Sequence, residues 1–334
     1  RKYDNLVQAD SKERVQIYWK CVFLFYASSI RCNPEARHVL YTNEESPEVM
    51  VGRVDLLKRL KEMGVEIHIV PFDRFKPPYS LSKKLTNCFY RLEVVKAMAE
   101  EAENEAFILL DSDVLWTRHD PQLMALLTQS NAVLYDRYEV NGHEVTDAGM
   151  SRMDMGNAFR TVDENYHPAD PIHFGGEIVG GPSQVMQKLS HSLEQAYDNV
   201  ISACLREMVV MPNGRNIMDT DEYVTSFAYN MADVEIGLAN PFIKRLWTGE
   251  QPNNVETDDV NLTLWHLIAE KQTGLAKLYD LAIEPDSSFW QITIDDFPAY
   301  LGAFVGIPER LHDTPLQLSW KARAKKMVMK LVNG

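Results

Sequence analysis

The sequence lacks the markers of several large protein classes. Only four cysteines (Cys21, Cys32, Cys88 and Cys204) occur among 334 residues, and no two form a C-x-x-C pair. This gives no support to a disulfide scaffold or a cysteine-built zinc site, and leaves buried free thiols in a reducing compartment. No apolar run approaches the roughly 20 residues that span a bilayer. Positive charge is scarce: 34 Lys and Arg stand against 48 Asp and Glu, a formal net charge of −14. A general nucleic-acid binder needs a basic stripe, so nucleic acid is not an expected partner. An anionic phosphate substrate would be repelled at long range, and a bound cation or a local Lys/Arg cluster would have to offset that. The G-x-x-x-x-G-K-[ST] and G-x-G-x-x-G phosphate loops are missing, as is the G-x-S-x-G nucleophile elbow. The usual kinase, dinucleotide-binding and serine-hydrolase signatures therefore do not apply. Internal repeats and low-complexity tracts are also absent.

What remains is an ordinary globular composition, 45% hydrophobic and 25% charged, on a chain long enough for one large α/β domain with additions or two smaller domains. Residues 18–30 are apolar on most faces and predict a buried helix ending before Asn33-Pro34. His38 to Tyr41 reads as a strand. Ser46-Pro47 predicts a helix through Met50, Val54, Leu57 and Leu60, closed by Gly64. Residues 65–70 predict a strand, and Ser80 or Ser82 a cap for a helix through Leu85, Cys88, Leu92, Val95 and Met98. A helix after Asp120-Pro121 and a strand at residues 132–135 continue the alternation. Such a βαβ rhythm predicts a largely parallel sheet with helices on both faces. Residues 139–171 break it, with no convincing period, and are expected to form an irregular loop or lid. A strand at 174–181 and a helix from 182 to about 208 follow.

The most informative run is Phe107-Ile-Leu-Leu-Asp111-Ser112-Asp113-Val-Leu-Trp116. An apolar strand ends abruptly in two carboxylates one residue apart, which alternation along a strand would put on one face. Two hard oxygen donors at the carboxyl end of a strand suit Mg²⁺ or Mn²⁺ bridged to a substrate's phosphates. The bland alternative is a strand ending in an Asx-type turn. Three further clusters stand out. His173-Phe174-Gly175-Gly176-Glu177 and Gly180-Gly181 flank a short apolar strand, where paired glycines let backbone approach a ligand or turn sharply. Asp219-Thr220-Asp221-Glu222 opens a helical run, with more acid than one cap needs. His266 lies beside Trp265 and five residues before Lys271, and imidazole is a better third ligand for Mn²⁺ than for Mg²⁺.

In this order the motifs resemble a nucleotide-sugar-dependent glycosyltransferase of the GT-A type, most like family 8, the retaining galactosyl- and glucosyltransferases. The resemblance runs over about residues 3–271. Ala9-Asp10 resembles the uridine-contacting segment, and Phe89-Tyr90-Arg91-Leu92 the family's Tyr-x-Arg-Leu helix. Asp111-Ser112-Asp113 matches the Asp-x-Asp motif. Phe174 to Ile178 resembles Phe-Asn-Ala-Gly-Val with Gly175-Gly176 in place of Asn-Ala, and Asp219-Thr220-Asp221 resembles Asp-Gln-Asp. His266 to Lys271 resembles the closing His-x-x-Gly-x-x-Lys, with Ala269 for the Gly and the Lys one residue early. The resemblance implies a GT-A, Rossmann-like α/β domain over residues 1–310, residues 139–171 serving as an acceptor-side loop or lid. It implies Mn²⁺ (or Mg²⁺) on Asp111, Asp113 and His266, and a UDP-sugar held by Asp10, Arg91, Asp111, Ser112, Asp113, Gly175, Gly176 and Lys271. The activity it implies is transfer of a hexose to a hydroxyl of a glycan or lipid-linked acceptor, with retention. Were the path inverting, Asp221, Glu222 or Glu177 would supply the base, and Asp219 completes the catalytic candidates.

Two rivals remain at this level. A haloacid-dehalogenase-like phosphatase would use Asp111 as nucleophile, with Asp258-Asp259 or Asp295-Asp296 holding Mg²⁺. A non-catalytic module binding a nucleotide sugar is the other. Residues 316–334 carry Lys321, Arg323, Lys325, Lys326 and Lys330 without an acid, interleaved with apolar residues. On a helix that is a basic amphipathic surface, suited to an anionic membrane or to docking on the domain. The expected location is cytoplasmic, peripheral at the inner face of a membrane. The chain begins at Arg1 rather than Met, which leaves a removed signal or anchor open.

Overall fold

The structure, a computed structural model, describes residues 12–46, 48–82, 85–101, 105–129, 131–137, 150–248 and 253–309. Asp10, the first part of the expected lid and the basic stretch 316–334 lie outside the described residues.

The opening helix, α1 (Lys12–Cys32), covers the predicted 18–30 segment and extends beyond both its ends. Strand β1 (Val39–Thr42) pairs in parallel with β4 (Glu66–Ile69). Between them the helix expected from Ser46-Pro47 is corrected. Met50–Val51 (β2) and Val54–Asp55 (β3) form a small antiparallel ladder around Gly52, whose φ is +62°. The helix α2 (Leu56–Glu62) starts only where the Asp55 carboxylate accepts the backbone N–H groups of Leu57 and Lys58. Met50 and Val54 fit a helical period, but the left-handed glycine and the later cap decide the boundary. Gly64, at φ +87°, follows the end of α2 as read. The next helix, α3 (Tyr90–Glu101), begins after a 3₁₀ turn at Thr86–Phe89, later than a cap at Ser80 or Ser82 would place it.

The run 107–116 is two strands rather than one. β5 (Ala106–Leu110) and β6 (Val114–Trp116) belong to different sheets. The helix expected after Asp120-Pro121 is α4 (Pro121–Thr128), N-capped by the Asp120 carboxylate, and β7 (Asn131–Asp136) follows it. Within the expected irregular segment lies an unpredicted helix, α5 (Arg152–Val162). Ser151 and Asp154 form a reciprocal capping box, and Met155, Ala158, Phe159 and Val162 supply its buried stripe. The remaining elements are β8 (Phe174–Pro182), α6 (Ser183–Arg206), α7 (Asp221–Tyr229), β9 (Glu235–Leu238), β10 (Ile243–Arg245), β11 (Leu264–His266), α8 (Gly274–Ala282), α9 (Ser288–Gln291) and α10 (Phe297–Val305).

The larger sheet has strand order β5-β8-β7-β9, with β8 antiparallel to both neighbours and β9 parallel to β7. The smaller, β10-β11-β6, is parallel between β10 and β11 and antiparallel between β11 and β6. Helices cover both faces. Alternation along β7 shows it: Ala132 and Leu134 enter the core shared with α3, α5, α6 and α7. Val133 and Tyr135 enter the opposite core, with α1, α2, α4, α8 and α10. Each fully buried Leu or Phe in these cores contributes about 1.5–3 kcal/mol relative to exposure. The result is the α/β architecture expected, with helices on both faces, though its sheets mix parallel and antiparallel strands because β6 and β8 run against their neighbours. No helix among the described residues is long and apolar enough to cross a membrane.

Candidate active site

The site is built where the two sheets meet. The Val114 N–H donates to the Asp111 carbonyl at 3.1 Å, so Asp111 to Val114 is a tight turn carrying the chain from one sheet to the other. On one side the Asp111 N–H donates to the Glu177 carbonyl of β8 at 3.3 Å; on the other the Leu267 N–H donates to the Asp113 carbonyl at 3.0 Å. The two carboxylates therefore converge through a turn, and not through strand alternation as the sequence suggested. The register of β6 against β11 places His266 opposite Val114. Ligand atoms of Asp111, Asp113 and His266 lie within 4.8 Å of one another. His266 Nε2 is 3.3 Å from Asp113 Oδ1 and 3.6 Å from Asp111 Oδ2.

Two cations sit on these carboxylates. Arg91, in the first turn of α3, pairs with Asp111, and its Nε lies 3.6 Å from Asp221 Oδ2 at the start of α7. Lys271 pairs with Asp113, and its Nζ stands 5.8 Å from the ring centre of Tyr18 on α1. Asp111 is the most open of the triad at 32% side-chain exposure, whereas Asp113 and His266 are buried. Burial raises the Asp113 carboxyl, but His266 and Lys271 outweigh it and hold it well below the usual range. Burial disfavours the charged forms of His266 and Lys271, yet Asp113 beside each raises both.

Behind the triad lies a second chain of charges, centred on the fully buried Glu177. The β10–β11 register sets Arg245 beside His266. Arg245 pairs with Glu177, and its Nη2 reaches Glu222 Oε1 at 2.9 Å; Arg137 Nη1 reaches Glu222 Oε2 at 2.6 Å. Glu177 Oε1 lies 3.4 Å from His266 Nδ1. Burial opposes the charged form of Glu222, but Arg137 and Arg245 hold its carboxyl down at about 2. Burial likewise opposes ionised Glu177, and Arg245 and His266 reverse it. Asp221 differs. Burial pushes its carboxyl up to about 6, with Arg91 only partly opposing.

The chain's fold has a solved counterpart. The structure superposes on the apo structure of WbbM, a bifunctional glycosyltransferase, with a TM-score of 0.50 at 11% identity, over 82% of this chain and 49% of that one. The α/β fold is one that a glycosyltransferase uses. The chain thus spans about half the length of that protein. The sequence itself matches no family model and no curated protein.

Of the residues singled out from sequence, the structure brings Arg91, Asp111, Asp113, Glu177, Asp221, Glu222, His266 and Lys271 into one cluster. Ser112 lies between the two acids in the turn. Gly175 and Gly176 adjoin the cluster, but the space they leave is filled by the chain itself. A Cβ at Gly175 would collide with the Glu177 carboxylate, and one at Gly176 would lie 3.3 Å from Arg91 Cζ. Asp219 stands apart: its carboxylate accepts the Asn216 N–H at 3.1 Å in a capping box. Glu177, a candidate base, has no solvent-exposed side-chain surface. The acids that a phosphatase would need for Mg²⁺ are elsewhere. Asp259 pairs with Lys244 at 3.0 Å, and Asp296 accepts from Thr293 Oγ1 at 2.7 Å. Among the described residues neither pair joins the metal-competent group. Sequence reasoning missed Arg137, Arg245 and Tyr18. Only the register of Arg245 with His266, which needs the fold, marks it as part of the site.

Proposed function

We propose that this protein is a metal-dependent glycosyltransferase that moves a hexose from a UDP-sugar to a hydroxyl of a glycan or lipid-linked acceptor with retention, in the manner of family 8. The observation that carries the reading is the convergence of Asp111, Asp113 and His266 within 4.8 Å, flanked by Arg91 and Lys271. Two carboxylates and an imidazole fit Mn²⁺ better than Mg²⁺, which prefers oxygen throughout. When bound, such an ion supplies Lewis-acid stabilisation of the charge growing on a leaving diphosphate.

The chain's own residues do the rest. Arg91 and Lys271 each neutralise one triad carboxylate in the metal-free protein. With a divalent cation held by Asp111 and Asp113, Arg91 and Lys271 would be available to the diphosphate oxygens. In a protein of net charge −14 that local positive charge is what admits an anionic donor. Glu222 is held by two arginines and is a poor proton acceptor. Asp221, at about 6, is the acid in the cluster suited to moving a proton near neutral pH. That observation favours a second reading, inversion with Asp221 as base.

The test is a panel of nucleotide sugars with and without Mn²⁺, read by hydrolysis and thermal shift, followed by NMR of the product's anomeric proton. Mn²⁺-dependent turnover of a UDP-hexose with an unchanged anomeric configuration is the expected result. Inverted product moves the reaction to the Asp221 path. Binding of UDP-sugars without turnover on any acceptor leaves a binding module, and absence of any UDP binding overturns the proposal.

A further inference from the structure

We infer that Glu177 is a positioning residue for His266: it takes the hydrogen bond from Nδ1–H and so presents the Nε2 lone pair to Asp111 and Asp113, with Arg245 fixing Glu177 in turn. The inference deepens the metal-dependent reading above and rests on it.

The two ring nitrogens of His266 look in opposite directions. Nε2 faces the triad carboxylates at 3.3 and 3.6 Å, and Nδ1 faces Glu177 Oε1 at 3.4 Å. A neutral imidazole can donate a lone pair from Nε2 only when its proton sits on Nδ1, so whatever accepts at Nδ1 chooses the tautomer. Glu177 is the acceptor in place. Nδ1 has no formed hydrogen bond, and Glu177 Oε2 is likewise a buried oxygen without a partner. The 3.4 Å separation is long, as such bonds are in sites without their ligands, and it can tighten when the ring is pulled into register. Metal-ligating histidines generally donate their second N–H to a carboxylate in this manner.

The surroundings explain why the carboxylate stays put. Glu177 lies on β8, the strand whose carbonyl holds the Asp111 N–H, so it is tied to a second triad residue through backbone. Arg245 stands opposite His266 in the β10–β11 ladder and bonds Glu177. The second arm of Arg245 goes to Glu222, itself held by Arg137. Gly175 leaves the room that the Glu177 carboxylate fills. With no exposed surface, Glu177 does not reach an acceptor hydroxyl, and it acts through the histidine.

The test uses the full chain and two readouts that need no turnover. Mn²⁺ uptake is followed by loss of the free-ion EPR signal, and the His266 tautomer by nitrogen-15 NMR of metal-free, histidine-labelled protein, assigned with His266→Gln. Because Asp113 favours the imidazolium, the spectra are taken at a pH where the ring is neutral, and wild type is expected to show the Nδ1–H tautomer there. Glu177→Ala should weaken Mn²⁺ binding roughly 10–100-fold and mix the tautomers, whereas Glu177→Gln, which keeps an acceptor, should fall between. Should Glu177→Ala fail to fold because Arg245 loses one of its two carboxylate partners, Glu177→Ala with Arg245→Gln carries the same comparison. Wild-type affinity and an unchanged His266 spectrum in a folded Glu177→Ala protein would overturn the inference. So would equal losses in the Ala and Gln variants that merely track their melting temperatures. A wild-type chain that takes up no Mn²⁺ defeats the metal reading. The tautomer comparison alone then decides the role of Glu177.

Discussion

Two groups of charged residues meet at His266, and they are built to opposite ends. On one side, Asp111 is 32% exposed at its side chain and pairs with Arg91, while Asp113 beside it is buried against Lys271. On the other, Glu177, Arg245, Glu222 and Arg137 form an inward chain in which Glu177 has no exposed side-chain surface. The residue types are nearly the same and the cations are similarly half-buried; what differs is the carboxylate at each end, Asp111 being 32% exposed and Glu177 not at all. A carboxylate open to water, as Asp111 is, can exchange one cation for another at little cost. A sealed one cannot, because removing either partner strands a charge in low dielectric.

The largest effect should come from breaking the point where the groups meet. His266→Ala is expected to reduce Mn²⁺-dependent UDP binding by more than the roughly 10–100-fold typical of losing an outer partner. Its thermal stability without metal should change far less. Calorimetric titration checks the first and a melting curve the second; unchanged UDP affinity would break the comparison. Arg245→Ala should do the reverse, costing about 3–5 kcal/mol of folding stability as Glu177 loses its charge partner. Denaturant unfolding measures it, and a loss under 1 kcal/mol would mean the inner chain is as exchangeable as the outer pair.

A smaller effect tests whether the outer group also depends on a sealed support. Glu270, one residue before Lys271, accepts from Thr248 Oγ1 at 2.6 Å, Thr273 Oγ1 at 2.6 Å and the Gly274 N–H at 2.8 Å. Glu270→Ala should cost about 1–3 kcal/mol and loosen the turn that aims Lys271. Unfolding and UDP titration together would show whether both fall.

The subtlest effect concerns pH. Asp221 is raised from an ordinary 3.8 to about 6, so the folded state holds its proton more tightly than the unfolded chain. The stability it contributes is fully present below about pH 4 and is lost as pH rises through about 6. Asp221→Asn should therefore raise the melting temperature at pH 7 and leave it nearly unchanged at pH 4. Glu222 has the opposite sign: lowered from 4.5 to about 2, its contribution is present above pH 4.5 and is lost as pH falls toward 2. Melting curves across pH 3–8 separate the two. A pH-independent difference between Asp221→Asn and wild type would contradict the assignment.

The alternation of strands and helices was legible because periods of 2 and 3.6 leave marks in an apolar pattern: α1, β7, β8 and α6 lie where the sequence puts them. The boundaries set by a local contest were harder. At Met50 to Leu60 a helical spacing was overridden by Gly52, and at Ser151 a capping box with Asp in place of Glu opened a helix inside an apparent loop. The site showed a similar division. Asp111 and Asp113 announce themselves by sitting together after an apolar run. Arg245 and Arg137 do not, since a lone arginine near a strand end is usually a solvated one, and only strand register brings Arg245 to Glu177. The glycine pair at 175–176 reads from sequence as backbone approaching a ligand or turning sharply; what lies against it in the fold is the chain's own Glu177 and Arg91.

The turn from Asp111 to Val114 has a consequence for how the protein is made. It joins two sheets, and the residue that meets Asp113 from the far side, Lys271, lies 158 positions later in the chain. Contacts of such separation form late, after the intervening loop entropy has been overcome. Until then the emerging chain carries two adjacent acids with neither their lysine nor their histidine. On the metal-dependent reading, an ion would therefore not nucleate this fold. It would select molecules in which β6 and β11 have already paired, so metal uptake in a refolding time course should trail the burial of Trp116 and Trp265.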